Sequence, residues 1–143
     1  MTPTPTSAAD ARRIAVVTTD EPALPDVEKF LAPAFHVHYL TTRDEILALM
    51  SRTPLDAILL DLDTLGDSTD QGLEALAELG RISEDLVLVA MTRSHSRSVR
   101  LKAEEVGADE FFLAPVDFQE MRIVLERALD RYADPSVERS SCP

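Results

Sequence analysis

Two carboxylates close a short apolar run near the middle of the chain. Residues 56–63 read Asp-Ala-Ile-Leu-Leu-Asp-Leu-Asp, so Asp61 and Asp63 follow the apolar residues directly. A nearly continuous apolar run of this length is typical of a strand that is buried on both faces of a parallel sheet. In open α/β sheets, the crevice at the carboxyl ends of the strands is where ligands bind and chemistry takes place. Asp61 is therefore the first candidate for a functional residue.

Other residue patterns that carry chemistry are absent from the sequence. It contains no Gly-rich phosphate loop, no Ser-His-Asp order, no Cys-x-x-Cys pair and no basic stretch interleaved with aromatic residues. The three histidines, at positions 36, 38 and 95, have no metal-ligand spacing beyond an i,i+2 pair on a strand. We expect them to be solvated side chains.

Composition and charge limit the class of protein. The 143 residues suit one domain, and 26 acidic against 14 basic residues give a net charge of -12, which argues against direct binding to nucleic acid. The single cysteine, Cys142, cannot form a disulfide within the chain, so a reducing compartment is expected. No signal peptide or membrane-spanning run is present. These features predict a cytoplasmic domain that binds neither nucleic acid nor membrane.

Hydrophobic patterning predicts five strand–helix units. Strands are expected over residues 14–17, 35–40, the run that ends at Asp61, 86–91 and 111–113. Capping residues Thr42, Ser96 and Asp117 open the second, fourth and fifth helices, and Gly80 closes the third. Only crossover connections can join parallel strands, so the pattern specifies a parallel sheet covered by helices on both faces. Periodicity does not determine the strand order.

Polar, Pro-containing segments flank this pattern. Residues 1–11 are expected to form a flexible N-terminal arm, and residues 133–143 to form a linker or tail. The predicted domain covers residues 12–132. The tail would suit a domain that is followed by a C-terminal output domain.

Two segments resemble a known family. Residues 56–66 follow the pattern Asp-x-x-Leu-Leu-Asp-Leu-x-x-x-Gly, and residues 107–115 read Gly-Ala-Asp-Glu-Phe-Phe-Leu-Ala-Pro. Together with the apolar residues 87–89 they resemble the receiver domain of two-component response regulators, over nearly the whole of residues 12–132. The resemblance implies a flavodoxin-like (βα)5 three-layer sandwich with strand order 2-1-3-4-5. It also implies that Asp61 accepts a phosphoryl group, that Phe111 is the switch aromatic and that the peptide bond before Pro115 is cis.

The chain departs from this family at the positions that surround the phosphoryl group. The family has an acidic pair that holds Mg²⁺ after the first strand, a hydroxyl residue at the end of the fourth strand and a lysine before the proline. The residues assigned here to those positions are Thr18 and Thr19, Ala90, and Ala114. A preorganised donor at a transition state is commonly worth about 3–4 kcal/mol. The resemblance and its departures therefore imply a degenerate receiver in which phosphorylation of Asp61 is impaired or absent.

A residual metal site would depend on few ligands. Mg²⁺ prefers oxygen ligands and is usually held by one or two carboxylates with waters and phosphate. Asp20 and Asp63 could complete an acidic pocket only if their side chains turned toward Asp61. Magnesium is therefore a weak expectation, with Asp20 and Asp61 as its ligands if it binds.

Three functions remain open at this point. The first is a receiver-like module, not an enzyme, that regulates by protein contact as the N-terminal part of a bacterial response or transcription regulator. Such modules pair with an output domain, or with a second copy through the fourth helix, fifth strand and fifth helix. The second is an active phospho-acceptor with an unusual magnesium site, and the third is a flavodoxin-like domain that binds a small ligand. The basic residues Arg93, Arg97, Arg100 and Lys102 are predicted to give the start of the fourth helix a basic face, which could meet solvent or an acidic partner.

Overall fold

The computed structural model describes residues 12–64, 68–83 and 85–133. The predicted arm (residues 1–11), nearly all of the predicted tail and Gly66 lie outside these ranges. Along the chain the elements are β1 (Arg13–Val17), a 3-10 turn (Glu21–Ala23), α1 (Leu24–Phe30), β2 (His36–Leu40), α2 (Arg43–Met50), β3 (Ala57–Asp61), α3 (Thr69–Ile82), β4 (Val87–Thr92), α4 (Arg97–Glu105), β5 (Glu110–Leu113) and α5 (Phe118–Ala133). Among the described residues, no helix has both the length and the apolar character that a bilayer crossing requires.

The strands of the described residues form one parallel five-stranded sheet in the order β2-β1-β3-β4-β5. This order confirms the one implied by the resemblance. In the register of the three inner strands, Val17 lies beside Leu60, and Asp61 lies beside Met91. The carboxyl ends of β1, β3 and β4 therefore meet at one edge of the sheet.

Alternate residues of the inner strands enter two separate cores. Ile14, Val16, Leu59 and Val89 pack with α1 and α5 on one face of the sheet. On the other face the strands pack against α2, α3 and α4, through the buried residues Ala15, Val17, Ile58, Leu60, Ile46, Leu76 and Ala103. Both faces of the strands are buried, which explains why their sequences are continuous apolar runs. The result is the predicted three-layer sandwich.

The predicted helix starts are present. The Thr42 side chain accepts a hydrogen bond from the Glu45 amide, and the Glu45 carboxylate accepts one from the Thr42 amide, so α2 begins with a complete capping box. Ser96 Oγ accepts from the Val99 amide at the start of α4. Asp117 Oδ1 accepts from the amides of residues 119 and 120 at the start of α5.

The predicted end of α3 is wrong. The helix continues past Gly80 to Ile82, and Gly80 lies inside it. A Cβ added at Gly80 would lie 3.3 Å from the Val106 carbonyl oxygen, so the missing side chain lets the end of α4 approach α3. Glycine serves here for close packing, whereas the sequence pattern suggested a helix stop. The glycine with a left-handed backbone is Gly107, whose φ is +127° after α4.

His38 is less solvated than predicted. Its ring is half-buried on β2 and stacks on the ring of His36, with 4.9 Å between the centroids. Burial lowers the pKa of His38, and the nearby charges of His36, Arg13 and Arg52 lower it further. His36 and His95 are exposed, as predicted.

A second glycine fixes the distance between α3 and the end of β3. A Cβ added at Gly72 would lie 2.4 Å from the carbonyl oxygen of Leu62 and 2.7 Å from its Cα. These are backbone atoms of the residue between Asp61 and Asp63, so they cannot rotate away. Gly72 therefore lets α3 pack directly against the segment that carries both carboxylates.

We expect Gly72→Ala to destabilise the fold by about 2 kcal/mol, because the added methyl group forces α3 away from Leu62. The matched control is Gly80→Ala, in which a milder contact at 3.3 Å is offset by the roughly 1 kcal/mol better helix propensity of alanine. Urea unfolding of both variants measures the difference. Equal stabilities would contradict the packing role assigned to Gly72.

Candidate functional site

The carboxyl ends of the inner strands border a pocket of about 200 Å³. Its polar lining includes Thr18, Asp20, Asp61 and Arg93, and its apolar lining includes Met91 and Phe118. The sequence predicts a functional crevice at this edge of the sheet. The structure brings Asp61, Asp20 and a guanidinium group from the segment after β4 to that edge, whereas Asp63 does not line the pocket.

Asp61 is the last residue of β3 and is half-buried. Its Oδ2 accepts a hydrogen bond of 2.7 Å from the hydroxyl of Thr18, at the end of β1. Its Oδ1 accepts one of 3.0 Å from the backbone amide of Asp63. Neutral donors of the protein thus contact both oxygens of this carboxylate.

Thr18 and Thr19 differ in their surroundings, although they are adjacent. Thr18 is only 8% exposed, and its hydroxyl donates to Asp61 while it accepts from the Asp20 amide at 2.9 Å. Thr19 is exposed, and its amide donates to the Thr64 hydroxyl at 3.1 Å. Thr18 therefore joins the turn after β1 to β3, while Thr19 joins it to the turn after β3.

Asp63 is bound to the end of the neighbouring strand. Its Oδ1 accepts a hydrogen bond of 2.7 Å from the Thr92 hydroxyl, and its Oδ2 accepts one of 2.9 Å from the Arg93 amide. The Asp63 side chain is therefore turned toward β4, whereas its amide is turned toward Asp61.

The assignment of Ala90 as the hydroxyl position at the end of the fourth strand is wrong. Ala90 lies beside Leu60 in the interior of β4 and is fully buried in the core. The strand continues two residues further and ends at Thr92, which carries a hydroxyl. The error arose because an apolar run shows that a strand is buried but does not show at which residue it ends.

The predicted place of Arg93 is also wrong. It was grouped with the basic residues of the fourth helix, but α4 begins only at Arg97, and Arg93 precedes it. The Nη2 atom of Arg93 lies 2.9 Å from Asp20 Oδ2. The one available signal was position, because Arg93 follows the apolar run of residues 86–91 with only Thr92 between them.

These contacts close a ring across three strand ends, which we call the edge ring. Its members are Thr18, Asp20, Arg93, Asp63 and Asp61, joined in that order. The ring contains three carboxylates and one guanidinium, and its other donors are backbone amides and a threonine hydroxyl. All three carboxylates of the ring accept hydrogen bonds from donors of the protein itself.

The described residues do not fit the magnesium site that the resemblance implies. Such a site needs carboxylate oxygens that face the ion. The oxygens of Asp61 accept hydrogen bonds from the Thr18 hydroxyl and the Asp63 amide, and Asp20 pairs with Arg93. Within the described ranges, no three or more His, Cys, Asp or Glu side chains are grouped so that they could hold a metal ion.

The remaining residues to which the resemblance assigns a role lie on or just after β5. Phe111 is half-buried, and the guanidinium carbon of Arg100 lies 5.8 Å from the centre of its ring. The peptide bond between Ala114 and Pro115 is cis. Ala114 lines the pocket, so the position assigned to a lysine contributes a methyl group.

We expect Thr18→Val to cost about 1–3 kcal/mol of folding stability, because it leaves Asp61 without its hydroxyl donor and the Asp20 amide without its acceptor. Thr19→Val is the matched control, since this side chain is exposed, and it should change stability by less than about 1 kcal/mol. Thermal unfolding at neutral pH tests the pair. A Thr19 variant as unstable as the Thr18 variant would show that the edge ring does not support the fold.

The sequence of this chain is similar to that of a known regulatory protein. No family model matches the chain. The transcriptional regulatory protein BaeR of Escherichia coli O6:H1 is 32% identical over 108 residues, which are 74% of this chain and 43% of BaeR. The chain thus spans less than half the length of this curated relative.

Solved receiver domains share the fold. The response regulator receiver domain protein (CheY-like) from Methanospirillum hungatei JF-1 superposes with a TM-score of 0.76 and 22% identity, over 86% of this chain and 97% of that protein. The BeF3-activated receiver domain of DrrB superposes with a TM-score of 0.73 and 22% identity, over 84% of this chain and 98% of that domain. The strand order of the described residues and the helices on both faces of the sheet thus give this chain the fold of response-regulator receiver (CheY-like) domains, and its sequence is similar to that of BaeR.

Proposed function

We propose that this receiver domain regulates by protein contact, with phosphorylation of Asp61 impaired or absent. The observation that carries the proposal is the environment of Asp61, whose two oxygens accept from the Thr18 hydroxyl and the Asp63 amide. Neither donor brings a positive charge. Phosphoryl transfer to a carboxylate requires cations or strong donors around the transferred oxygens.

The guanidinium group that lines the pocket supports the same conclusion. Arg93 lines the pocket with Asp61, but its guanidinium is paired with Asp20 at 2.9 Å. Ala114 contributes no charge, and the first strand is followed by Thr18 and Thr19 in place of an acidic pair. A phosphoryl group in this pocket would therefore lie beside the carboxylates of Asp20 and Asp61, while the guanidinium that lines the pocket is already paired.

One observation favours the second candidate, an active phospho-acceptor. The hydroxyl at the end of β4 is present as Thr92, so one of the expected stabilisers is retained. Its proton is already donated to Asp63 at 2.7 Å, and so it is not directed at Asp61. This contact makes impaired phosphorylation the better supported of the two functions.

The similarity to BaeR supports a place in a longer regulator. BaeR is described as a transcriptional regulatory protein, and this chain covers 43% of its length. We propose that the domain acts in the bacterial cytoplasm beside an output domain that carries the DNA-binding or other effector function. This role makes it a signalling domain and not an enzyme in the ordinary sense.

A partner surface is available beside β5. Phe111, Leu113, Arg97 and Arg100 line a shallow hollow between this strand and the start of α4. The Leu113 side chain is 43% exposed. Apolar side chains beside two guanidinium groups suit a partner with apolar and acidic residues, either an output domain or a second copy of this acidic chain.

We expect the wild-type domain to acquire no stoichiometric phosphoryl group when it is incubated with acetyl phosphate and Mg²⁺. The triple variant Thr18→Asp, Thr19→Asp, Ala114→Lys restores the missing charges and should acquire one. Intact-mass measurement detects the adduct in both proteins. Asp61→Asn in the triple variant should abolish it, which assigns the site. A stoichiometric adduct on Asp61 of the wild-type protein would refute the proposal.

We expect Leu113→Asp to weaken self-association at least about tenfold, since it places a charge in the apolar part of the β5 surface. Ile82→Asp is the control, because Ile82 is 52% exposed on α3 and does not line the hollow. Sedimentation velocity over a concentration series measures both variants against the wild type. A wild-type domain that stays monomeric would restrict this surface to an output domain, and equal effects of the two variants would exclude it as the dimer contact.

A further inference from the structure

The strand β2 lies at a free edge of the sheet. In the part of the chain that the structure describes, β2 pairs with β1 and with no other strand. The His36 amide and the Leu40 carbonyl form hydrogen bonds of 2.8 and 3.0 Å with residues that flank β1, so the even-numbered residues of β2 face β1. Because backbone groups alternate in direction along a parallel strand, the N–H and C=O groups of Val37 and Tyr39 point away from the sheet. An edge of this kind can pair with a further strand.

Four basic side chains meet on one face of this edge, and we call Arg13, His36, His38 and Arg52 the basic corner. Alternation along β1 and β2 puts the first three on the face that packs against α2. Arg13 lies beside His36 in the register of the two strands, and the rings of His36 and His38 stack with 4.9 Å between their centroids. Arg52 follows α2, and its Nη1 donates to the Ala48 carbonyl at 3.0 Å.

The basic corner carries a positive potential although the chain is acidic. Burial lowers the pKa of His38, and the charges of His36, Arg13 and Arg52 lower it further, with no carboxylate of the described residues acting in the opposite direction. The Asp56 carboxylate accepts from the Arg13 amide at 2.8 Å, on the side of β1 that faces β3. His38 Nε2 is buried and has no hydrogen-bond partner among the described residues. These charges therefore favour an anionic partner, whereas the net charge of -12 does not.

The opposite face of β2 is apolar. Val37 packs against the core that includes residues of α1 and α5, and Tyr39 is 41% exposed two residues further on. The Tyr39 hydroxyl donates to the Glu28 carboxylate of α1, which holds the ring in place. A strand added at this edge would meet basic side chains on one face and apolar side chains on the other. Cross-strand pairs of this kind select a partner by the alternation of its residues.

We propose that the free edge of β2 binds an extended acidic peptide segment of a partner protein as a sixth strand. Carboxylates at alternate positions of the segment face the basic corner, and the β-branched or aromatic residues between them face Val37 and Tyr39. Main-chain hydrogen bonds supply the affinity, and charge selects the partner. The inference goes beyond the proposed function, because this edge is opposite β5 and binding here requires no change at Asp61.

A second copy of β2 fits this edge less well than an acidic segment does. Antiparallel pairing of two β2 strands about a two-fold axis would put His38 of both copies opposite each other and bring the two basic corners together on one face. Like charges that lie opposite each other destabilise a sheet. The charge of the corner therefore favours a partner of different sequence.

Amide chemical shifts of the full chain, titrated with short synthetic peptides, test the proposal. A peptide in which Glu alternates with Val should give saturable shifts, with the largest at the outward amides of Val37 and Tyr39. The same peptide with Lys in place of Glu should bind at least about tenfold more weakly, since attraction at several positions becomes repulsion. An N-methylated version, modified at the amides that face β2, keeps the carboxylates but cannot pair as a strand. It should give no saturable shift at these residues.

Arg52→Glu tests the basic corner, and Arg81→Glu is its matched control. Both residues are exposed, but Arg81 lies on α3 and is not a member of the corner. The two variants change the net charge of the chain equally, so they differ in the local charge beside β2. Arg52→Glu should bind the Glu-containing peptide at least about threefold more weakly than Arg81→Glu, because the reversal turns an exposed ion pair into a repulsive contact.

Four results would overturn the inference. The first is that Val37 and Tyr39 show no saturable shift with millimolar Glu-containing peptide. The second and third are equal binding of the Glu and Lys peptides, and equal binding by the Arg52 and Arg81 variants. The fourth is that the N-methylated peptide binds as well as the unmodified one, which would show contact with an acidic partner without strand pairing. All four outcomes are independent of whether Asp61 is phosphorylated.

Discussion

Three carboxylates must share one edge of the sheet, and the structure depends on how their charges are satisfied. Parallel strands bring Asp20, Asp61 and Asp63 to the same edge of the sheet, because the carboxyl ends of β1, β3 and β4 are in register. Asp20 and Asp61 are half-buried, and carboxylates that are removed from water need compensating charges or hydrogen bonds. The edge ring supplies these from Thr18, from backbone amides and from Arg93. The chain thus stabilises with its own donors a group of charges that a metal ion could otherwise neutralise.

This arrangement relates the fold to its proposed role. Gly72 places α3 directly on Leu62, so the segment from Asp61 to Asp63 is held by packing as well as by hydrogen bonds. Asp63 reaches β4 and Asp61 reaches β1, which joins the strand ends without a covalent or metal link. The carboxyl edge of the sheet is therefore fixed by contacts within the domain. In the proposed role, the signal that the domain passes on would depend on the protein partner that it binds.

Much of the fold could be predicted from the sequence because burial on both faces leaves a strong pattern. The runs ending at Val17 and Asp61 and the capping box of Thr42 and Glu45 all fall where the sequence placed them. Strand order came from the resemblance, since periodicity carries no information about neighbours. The prediction that Gly80 ends α3 is wrong, because a glycine inside a helix and a glycine at a helix end look the same in a sequence.

The site was less predictable for a physical reason. Its contacts link residues far apart in the chain, such as Thr18 with Asp61 and Asp20 with Arg93, and no spacing rule encodes them. The end of the fourth strand was placed two residues too early, at Ala90, so the hydroxyl of Thr92 was left out of the predicted site. The sequence shows that residues 18, 19 and 114 are neutral, but it does not show that the Thr18 hydroxyl, the Asp63 amide and the Arg93 guanidinium donate to the carboxylates.

The central claim is that protein donors, and not a divalent cation, satisfy the carboxylates of this edge. A titration of the wild-type chain with Mg²⁺, followed by the amide shifts of Asp20, Asp61, Asp63 and Arg93, tests it most directly. The account predicts that these amides shift no more than those of solvent-exposed acidic residues such as Asp44. A saturable shift confined to the amides of the edge ring would contradict it, because the carboxylates would then be exchanging their protein donors for a bound ion.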